Sequence, residues 1–429
     1  MKIQEIKSER LKDKYIKAEH PSGLRIYLYP QEGRRSTYAI IGTKYGSMNN
    51  MFRIEGKEKI TEVPDGIAHY LEHKLFESED GDAFSKYSKT GASANAYTSF
   101  DMTCYLFSCT ENFDKSFEIL MDLIQSPYFT PENVQKEQGI IGQEIKMYED
   151  NAGWRVLFNL LCAMYHNHPI KKDIAGTVET IAEITPERLY ECYNSFYNLK
   201  NMALCIAGNI DPDAILANID SLIKPNEIVK VESIFPDEPY EVLKSKVEQR
   251  FDITVPMFEV GFKEKTRKNR ASEKEMAETD ILLEILASKY SPLYTRLMDE
   301  NLINASFGYE YFEGDGYAAV IFSGESKDPD KTLEIIKEEI ERLRKEGITK
   351  EDFEIAKKAI YGSNIGLFNR PKNIANAMIG MDFAKREIFR SIDAIANVNL
   401  EDVEKRFSEQ LDTNNCSLSV VLPLESKEK

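Results

Sequence analysis

Gly66-Ile67-Ala68-His69-Tyr70-Leu71-Glu72-His73-Lys74-Leu75-Phe76 holds two histidines four residues apart, with a glutamate immediately before the second. On an α-helix that spacing puts His69 and His73 on one face, one turn apart. Both imidazoles can then reach a single metal ion, with Glu72 beside them. The residue types suit metal-assisted hydrolysis. A catalytic zinc takes three protein ligands and leaves a fourth position for water, whose pKa falls to about 7. A carboxylate next to that water can take its proton and hand it to a leaving amine, a role open to Glu72. A chance solvated helix face would have to draw its two histidines from only five in the chain, the others being His20, His166 and His168.

A third ligand must come from elsewhere. Pro131 to Ile145 reads as a helix, with Thr130 at the N-cap and Pro131 in the first helical position. Glu137 and Glu144 stand two turns apart along one of its faces. One could complete a metal site while the other holds a ligand histidine by its second ring nitrogen. By itself such a pair is usually a wet helix face; after the histidine motif it is more specific.

His69-x-x-Glu72-His73 is the order of an inverted zincin. Followed at this distance by Glu137 and Glu144, it makes the chain resemble the pitrilysin/insulinase family of zinc metallopeptidases, which includes the mitochondrial processing peptidases. The resemblance implies Zn2+ held by His69, His73 and Glu144, with Glu72 as general base and Glu137 as supporting carboxylate. Gly91 to Ser99 looks like the family's edge strand, on which an extended peptide lies as an added strand near Asn95 and Ala96. Backbone pairing of that kind tolerates varied substrate sequences. Pro64 to His69 and Lys74 to Glu77 look closest to short bacterial members. The resemblance is strong to about Gly208 and weaker beyond.

The weaker half reads as a degraded copy of the first. Phe129-Thr130-Pro131-Glu132-Asn133-Val134 matches Ile348-Thr349-Lys350-Glu351-Asp352-Phe353, an offset of 219, which carries Glu137 onto Ala356 and Glu144 onto Ser363. Thr185 to Leu189 matches Asn399 to Val403 and leads to the strand pair Asn201 to Ile206 and Asn415 to Val420, an offset of 214. A duplication is expected, the second copy without a metal site. The domains are drawn at 1–223 and 241–429, joined by a linker over 224–240 that holds Pro225, Pro236 and Pro239. Apolar alternation in Gly23 to Tyr29 and Ala318 to Phe322, with helical period in Phe113 to Gln125 and Asp330 to Glu346, predicts α+β sandwiches with largely antiparallel sheets. The family implies two homologous α/β sandwich domains facing each other as a clamshell.

Composition sets bounds. With 55 basic and 72 acidic residues in 429, the net charge is −17. That argues against nucleic acid or an anionic membrane as the main partner. The start Met1 to Arg10 is charged throughout and no apolar run is long enough to span a bilayer, so no membrane association and a cytoplasmic location are expected. Cys104, Cys109, Cys162, Cys192, Cys205 and Cys416 have no C-x-x-C spacing and are expected to be buried thiols. His166 and His168 are expected in a loop without a second metal.

One departure bears on mechanism. Single-chain active members carry an arginine and, seven residues later, a tyrosine that reach the substrate backbone and the developing oxyanion. These positions fall on Met298 and Ala305, neither of which can donate such a hydrogen bond; Arg296, Tyr309 and Tyr311 lie near without the right spacing. The expected function is a zinc-dependent endopeptidase acting on short or unfolded peptides. It would be the zinc-bearing subunit of a two-chain enzyme whose homologous partner supplies arginine and tyrosine, with a homodimer as the next option. The alternatives are a non-catalytic scaffold and a peptide-binding or maturation module. Manganese and cobalt remain open as working metals.

Overall fold

The strands Thr37–Thr43 and Met257–Lys263 alternate side chains between two buried faces, and each occupies an interior position of a sheet. A computed structural model describes residues 1–225, 227–267 and 269–425. Asn226, inside the expected linker, Lys268 and residues 426–429 lie outside the described residues.

The first sheet has seven strands in the order Lys2–Ser8, Asp13–Glu19, Arg25–Pro30, Met202–Gly208, Thr37–Thr43, Thr103–Cys109 and Ser93–Thr98. Only Met202–Gly208 against Arg25–Pro30 runs parallel. The second sheet has five, in the order Lys246–Phe251, Cys416–Pro423, Met257–Lys263, Tyr317–Glu325 and Gly308–Gly314, with the first two parallel. These are the α+β sandwiches expected from the alternation. The helix Phe113–Gln125 falls on its predicted bounds, and Pro329–Glu346 starts one residue early.

In the first unit, Ile26, Leu28, Ile41, Phe107 and Leu204 face a helical layer that includes Leu71, Leu120, Ile141 and Leu189. In the second, Phe258, Val260, Phe322 and Leu418 face Ile281, Leu282, Ile336 and Val403. Each sheet also buries its other face. On the first, Tyr15, Tyr27, Tyr38, Ile40 and Cys205 lie under the helix Pro371–Phe383 through Ile374, Met378 and Ile379. On the second, the helix Ala152–Met164 lies against Met257–Lys263 and Cys416–Pro423.

Both covering helices sit over a glycine. A Cβ at Gly42 would stand 3.0 Å from Ile379 Cγ2 and from Phe383 Cε2, and one at Gly261 would stand 2.3 Å from Met164 Sδ. The two glycines are related by the same offset of 219 as the glutamate helix and its copy. That copy is the helix Lys350–Gly366, where Ala356 is buried.

The compact units cross the boundaries drawn from sequence. The first comprises Met1–Ile145, Lys172–Ile234 and Gly366–Phe389; the second takes Lys146–Lys171, Phe235–Ile365 and the chain from Arg390. Each unit is therefore completed by a helix from the other half of the sequence. Within the expected linker, Val231–Ser233 pairs with Met51–Ile54.

Candidate metal centre

The helix Ile67–Leu75 begins at a crowded turn. Gly66 has φ 89°, and a Cβ on it would lie 2.3 Å from the Ala175 carbonyl oxygen; Gly176, at φ 73°, would place one 2.4 Å from the Asp65 carbonyl. Two backbones touch here at positions that only glycine fills without strain. Asp65 fixes the turn, accepting from Asn50 Nδ2 at 2.7 Å and Lys172 Nζ at 2.9 Å. Ile67, Ala68, Tyr70, Leu71 and Leu75 then bury the helix in the first core. The Tyr70 hydroxyl donates to the Val134 carbonyl of the helix Pro131–Glu149, which itself starts where Thr130 Oγ1 accepts from Asn133 N at 3.2 Å.

These two helices bring the predicted side chains together. His73 Nε2 lies 3.4 Å from Glu144 Oε2, and His69 Nε2 lies 3.8 Å from Glu144 Oε1. One donor atom from each of the three falls within 4.8 Å of the others. A tetrahedral ion with bonds of about 2.0–2.1 Å separates its ligands by roughly 3.3 Å, so the spacing suits a small divalent cation. Two imidazole nitrogens and a carboxylate converge here, an arrangement that repels itself unless a cation or a proton sits among them. Among the described residues no other group of three or more histidine, cysteine or acidic side chains is so disposed. His73 and Glu144 side chains keep about a quarter of their surface open, which leaves the group accessible from solvent.

The surroundings tune each group. The second nitrogen of His73, Nδ1, is 3.0 Å from Glu137 Oε1, which sets the ring so that Nε2 faces Glu144. Burial drives the His69 pKa down to about 3, with the neighbouring His73 adding to it, so this imidazole is neutral as a ligand must be. His69 Nδ1 is enclosed without a hydrogen-bond partner among the described residues. Burial also lifts the Glu72 carboxyl above its ordinary value, against a hydrogen bond from Thr98 Oγ1 at 2.7 Å to Oε2. For Glu137 burial works upward as well, but the His73 hydrogen bond and the Lys74 charge bring it below the usual range.

Ser93–Thr98 is the edge strand of its sheet, paired on one side only, with Thr103–Cys109. Asn95 and Ala96 lie on it, and the Ala96 N–H turns to the Asn95 side-chain oxygen at 2.9 Å. In the second unit, Met298 is exposed on the helix Pro292–Asp299. The neighbouring candidates are engaged within that unit: Arg296 with Glu300 and Glu338, Tyr309 with Glu284 at 2.6 Å, and Tyr311 with Arg406 at 2.9 Å. His166 Nε2 lies 3.1 Å from the Glu241 carbonyl and His168 Nε2 3.0 Å from that of Asp315, so both are satisfied loop residues. Five of the cysteines are buried free thiols, whereas Cys162 is exposed.

Two participants escaped the sequence reading. Thr98 holds Glu72 from a different element, and Lys74 is wholly enclosed beside Glu137. A lysine directly after the histidine motif and before the apolar pair Leu75-Phe76, with Glu77 three residues on, was the available signal for the second.

Comparison with known proteins agrees with this architecture. Residues 60–178 match the family model described as Insulinase (Peptidase family M16), and residues 183–360 match the one described as Peptidase M16 inactive domain. The chain belongs to the insulinase family of peptidases, family M16. It is 38% identical over 434 residues to YmfH of Bacillus subtilis, described as an uncharacterized zinc protease, covering 98% of this chain and 99% of that one. The β subunit of the mitochondrial-processing peptidase of Caenorhabditis elegans is 28% identical over 205 residues, covering 46% of this chain and 42% of the relative. A crystal structure of an M16-like peptidase from Alicyclobacillus acidocaldarius superposes with a TM-score of 0.92 at 35% identity, covering 96% of this chain and 98% of the other.

Proposed function

We propose that the chain is a zinc-dependent endopeptidase acting on short or unfolded peptides. His69, His73 and Glu144 hold the ion, and a bound zinc supplies a Lewis acid and a water acidic enough to attack at neutral pH. Glu72, kept in place by Thr98, takes the proton of the attacking water and returns it to the leaving amine. Glu137 orients His73. The substrate pairs along the exposed side of Ser93–Thr98, with Asn95 and Ala96 giving up their mutual contact to it. The observation that carries this reading is the convergence of both Nε2 atoms and the Glu144 carboxylate within 4.8 Å.

Arginine and tyrosine are missing from their expected places at Met298 and Ala305, and the nearby substitutes are committed to other partners. The reading therefore assigns this chain to the zinc-bearing side of a two-chain enzyme. Unpaired buried thiols support a reducing compartment such as the cytoplasm. A scaffold or peptide-carrying role is the second reading, favoured by those same missing donors; an intact Glu72 has no use in it.

The deciding experiment measures metal content and cleavage of a quenched peptide library by the chain alone and mixed with a homologue that carries arginine and tyrosine. Expected are about one zinc per chain, cleavage on mixing, and a loss of 10²-fold or more in Glu72→Gln with metal retained. Zinc without cleavage in any pairing would support the scaffold, and no zinc would end the proposal.

A further inference from the structure

Lys74 follows the second histidine and points into the protein, with no exposed side-chain surface. Its ammonium lies 2.6 Å from Glu77 Oε2 and 3.6 Å from Glu137 Oε2. Glu77 is partly open to solvent, and its other oxygen is 3.7 Å from the exposed Lys136. Glu137 is 6% exposed, and its remaining oxygen is the one that meets His73 Nδ1. A continuous line of polar contacts therefore runs from ammonium to carboxylate to imidazole, ending at the Nε2 that faces Glu144.

Packing alone does not ask for a charge at position 74. A methionine has nearly the same length and would fill the same space, while a lysine is seldom fully enclosed unless paired. Taking the Glu137 carboxylate out of water is costly without a compensating cation, and a carboxylate with no second anchor can rotate away from the ring it serves. The ammonium meets both needs. At 3.6 Å it offsets the charge and attracts Oε2 as an ion pair, which leaves Oε1 aimed at His73.

We infer that Lys74 is a positioning residue for the metal centre, acting through Glu137 on the orientation of His73. Partners one contact removed from metal ligands typically govern affinity by 10- to 100-fold, and Lys74 lies one contact further out. The inference rests on the reading of His69, His73 and Glu144 as a metal site.

The test is zinc affinity of the full-length apo-protein by chelator competition, with the visible spectrum of the Co2+ form as a report on ligand geometry. Four variants are compared with wild type: Lys74→Met, Lys74→Arg, the double change Lys74→Met with Glu77→Gln, and His73→Ala. Expected are a loss of about tenfold in affinity and an altered cobalt spectrum for Lys74→Met, with affinity kept within about threefold in Lys74→Arg. The double variant removes both charges of the outer pair, and so separates service to Glu77 from service to Glu137. It is expected to stay as weak as Lys74→Met; wild-type affinity and spectrum in it would overturn the inference, as would an unchanged Lys74→Met. Should Lys74→Met not fold, the double variant decides between the two outcomes. Zinc bound by wild type and lost in His73→Ala leaves the site reading standing whatever Lys74 does; a wild type that binds no metal defeats both.

Discussion

Glu72 and Thr98 meet across two elements, and the 2.7 Å bond between them is the only side-chain hydrogen bond to this carboxylate among the described residues. Thr98→Val keeps the shape and removes the donor. The expected outcome is a fall in kcat of about tenfold with KM and zinc content little changed, measured by steady-state kinetics on a cleaved peptide. Gly66→Ala tests the turn that launches the helix. A Cβ there meets backbone 2.3 Å away at a φ of 89°, so a loss of roughly 2 kcal/mol or more is expected in urea melts, with weaker zinc binding. The histidine pair was legible because helical period alone makes residues i and i+4 neighbours. Thr98 was not, since nothing in a linear sequence says which strand lies beside which helix. Glu137 and Glu144 stood between these cases: their shared face could be read, but the division between ligand and support came only through the family.

Glu259 lies on Met257–Lys263, opposite Ser323 and Ser419 on the flanking strands. The 219 offset sets it where Ile40 stands in the first sheet. One of its oxygens is enclosed with no hydrogen-bond partner among the described residues. Burial, with a smaller contribution from the charge of Glu310, pushes its pKa up to about 8. The folded protein therefore holds a proton that the unfolded chain releases near pH 4.5. Folding takes up a proton between those values, and the contribution of this residue to stability falls as pH rises through the window. Glu259→Gln should be neutral near pH 4 and stabilising by about 1–3 kcal/mol at pH 8, checked by urea melts across that range. Element types were readable wherever the period was long, as in Phe113–Gln125. The placement of Ala152–Met164 and Pro371–Phe383 was not. An apolar stripe shows that a helix will be buried, yet it does not say on which sheet.

For the whole molecule, the duplication was legible from the matched starts of the glutamate helix and its copy, because capping residues and apolar spacing survive where function is lost. At Ala356 and Ser363 the second copy keeps a helix and drops both acids. The same logic sets an expectation for activity. With neither Met298 nor Ala305 able to donate, the lone chain should turn over peptides 10²-fold or more slowly than the pair formed with a donor-bearing homologue. Size-exclusion chromatography of the mixture, followed by assay of each peak, checks this.

Because the sheet beneath the histidine helix is roofed on its other face by residues 371–383, a ribosome must complete those residues before that sheet can be sealed. Domains that emerge early usually fold early. Here the nascent first unit waits with Tyr15, Tyr27, Tyr38 and Ile40 uncovered while residues 235 to 370 are made. A product stopped after Ile234 should accordingly be sticky and chaperone-bound, and a peptide of residues 366–389 supplied in trans should return it to solution.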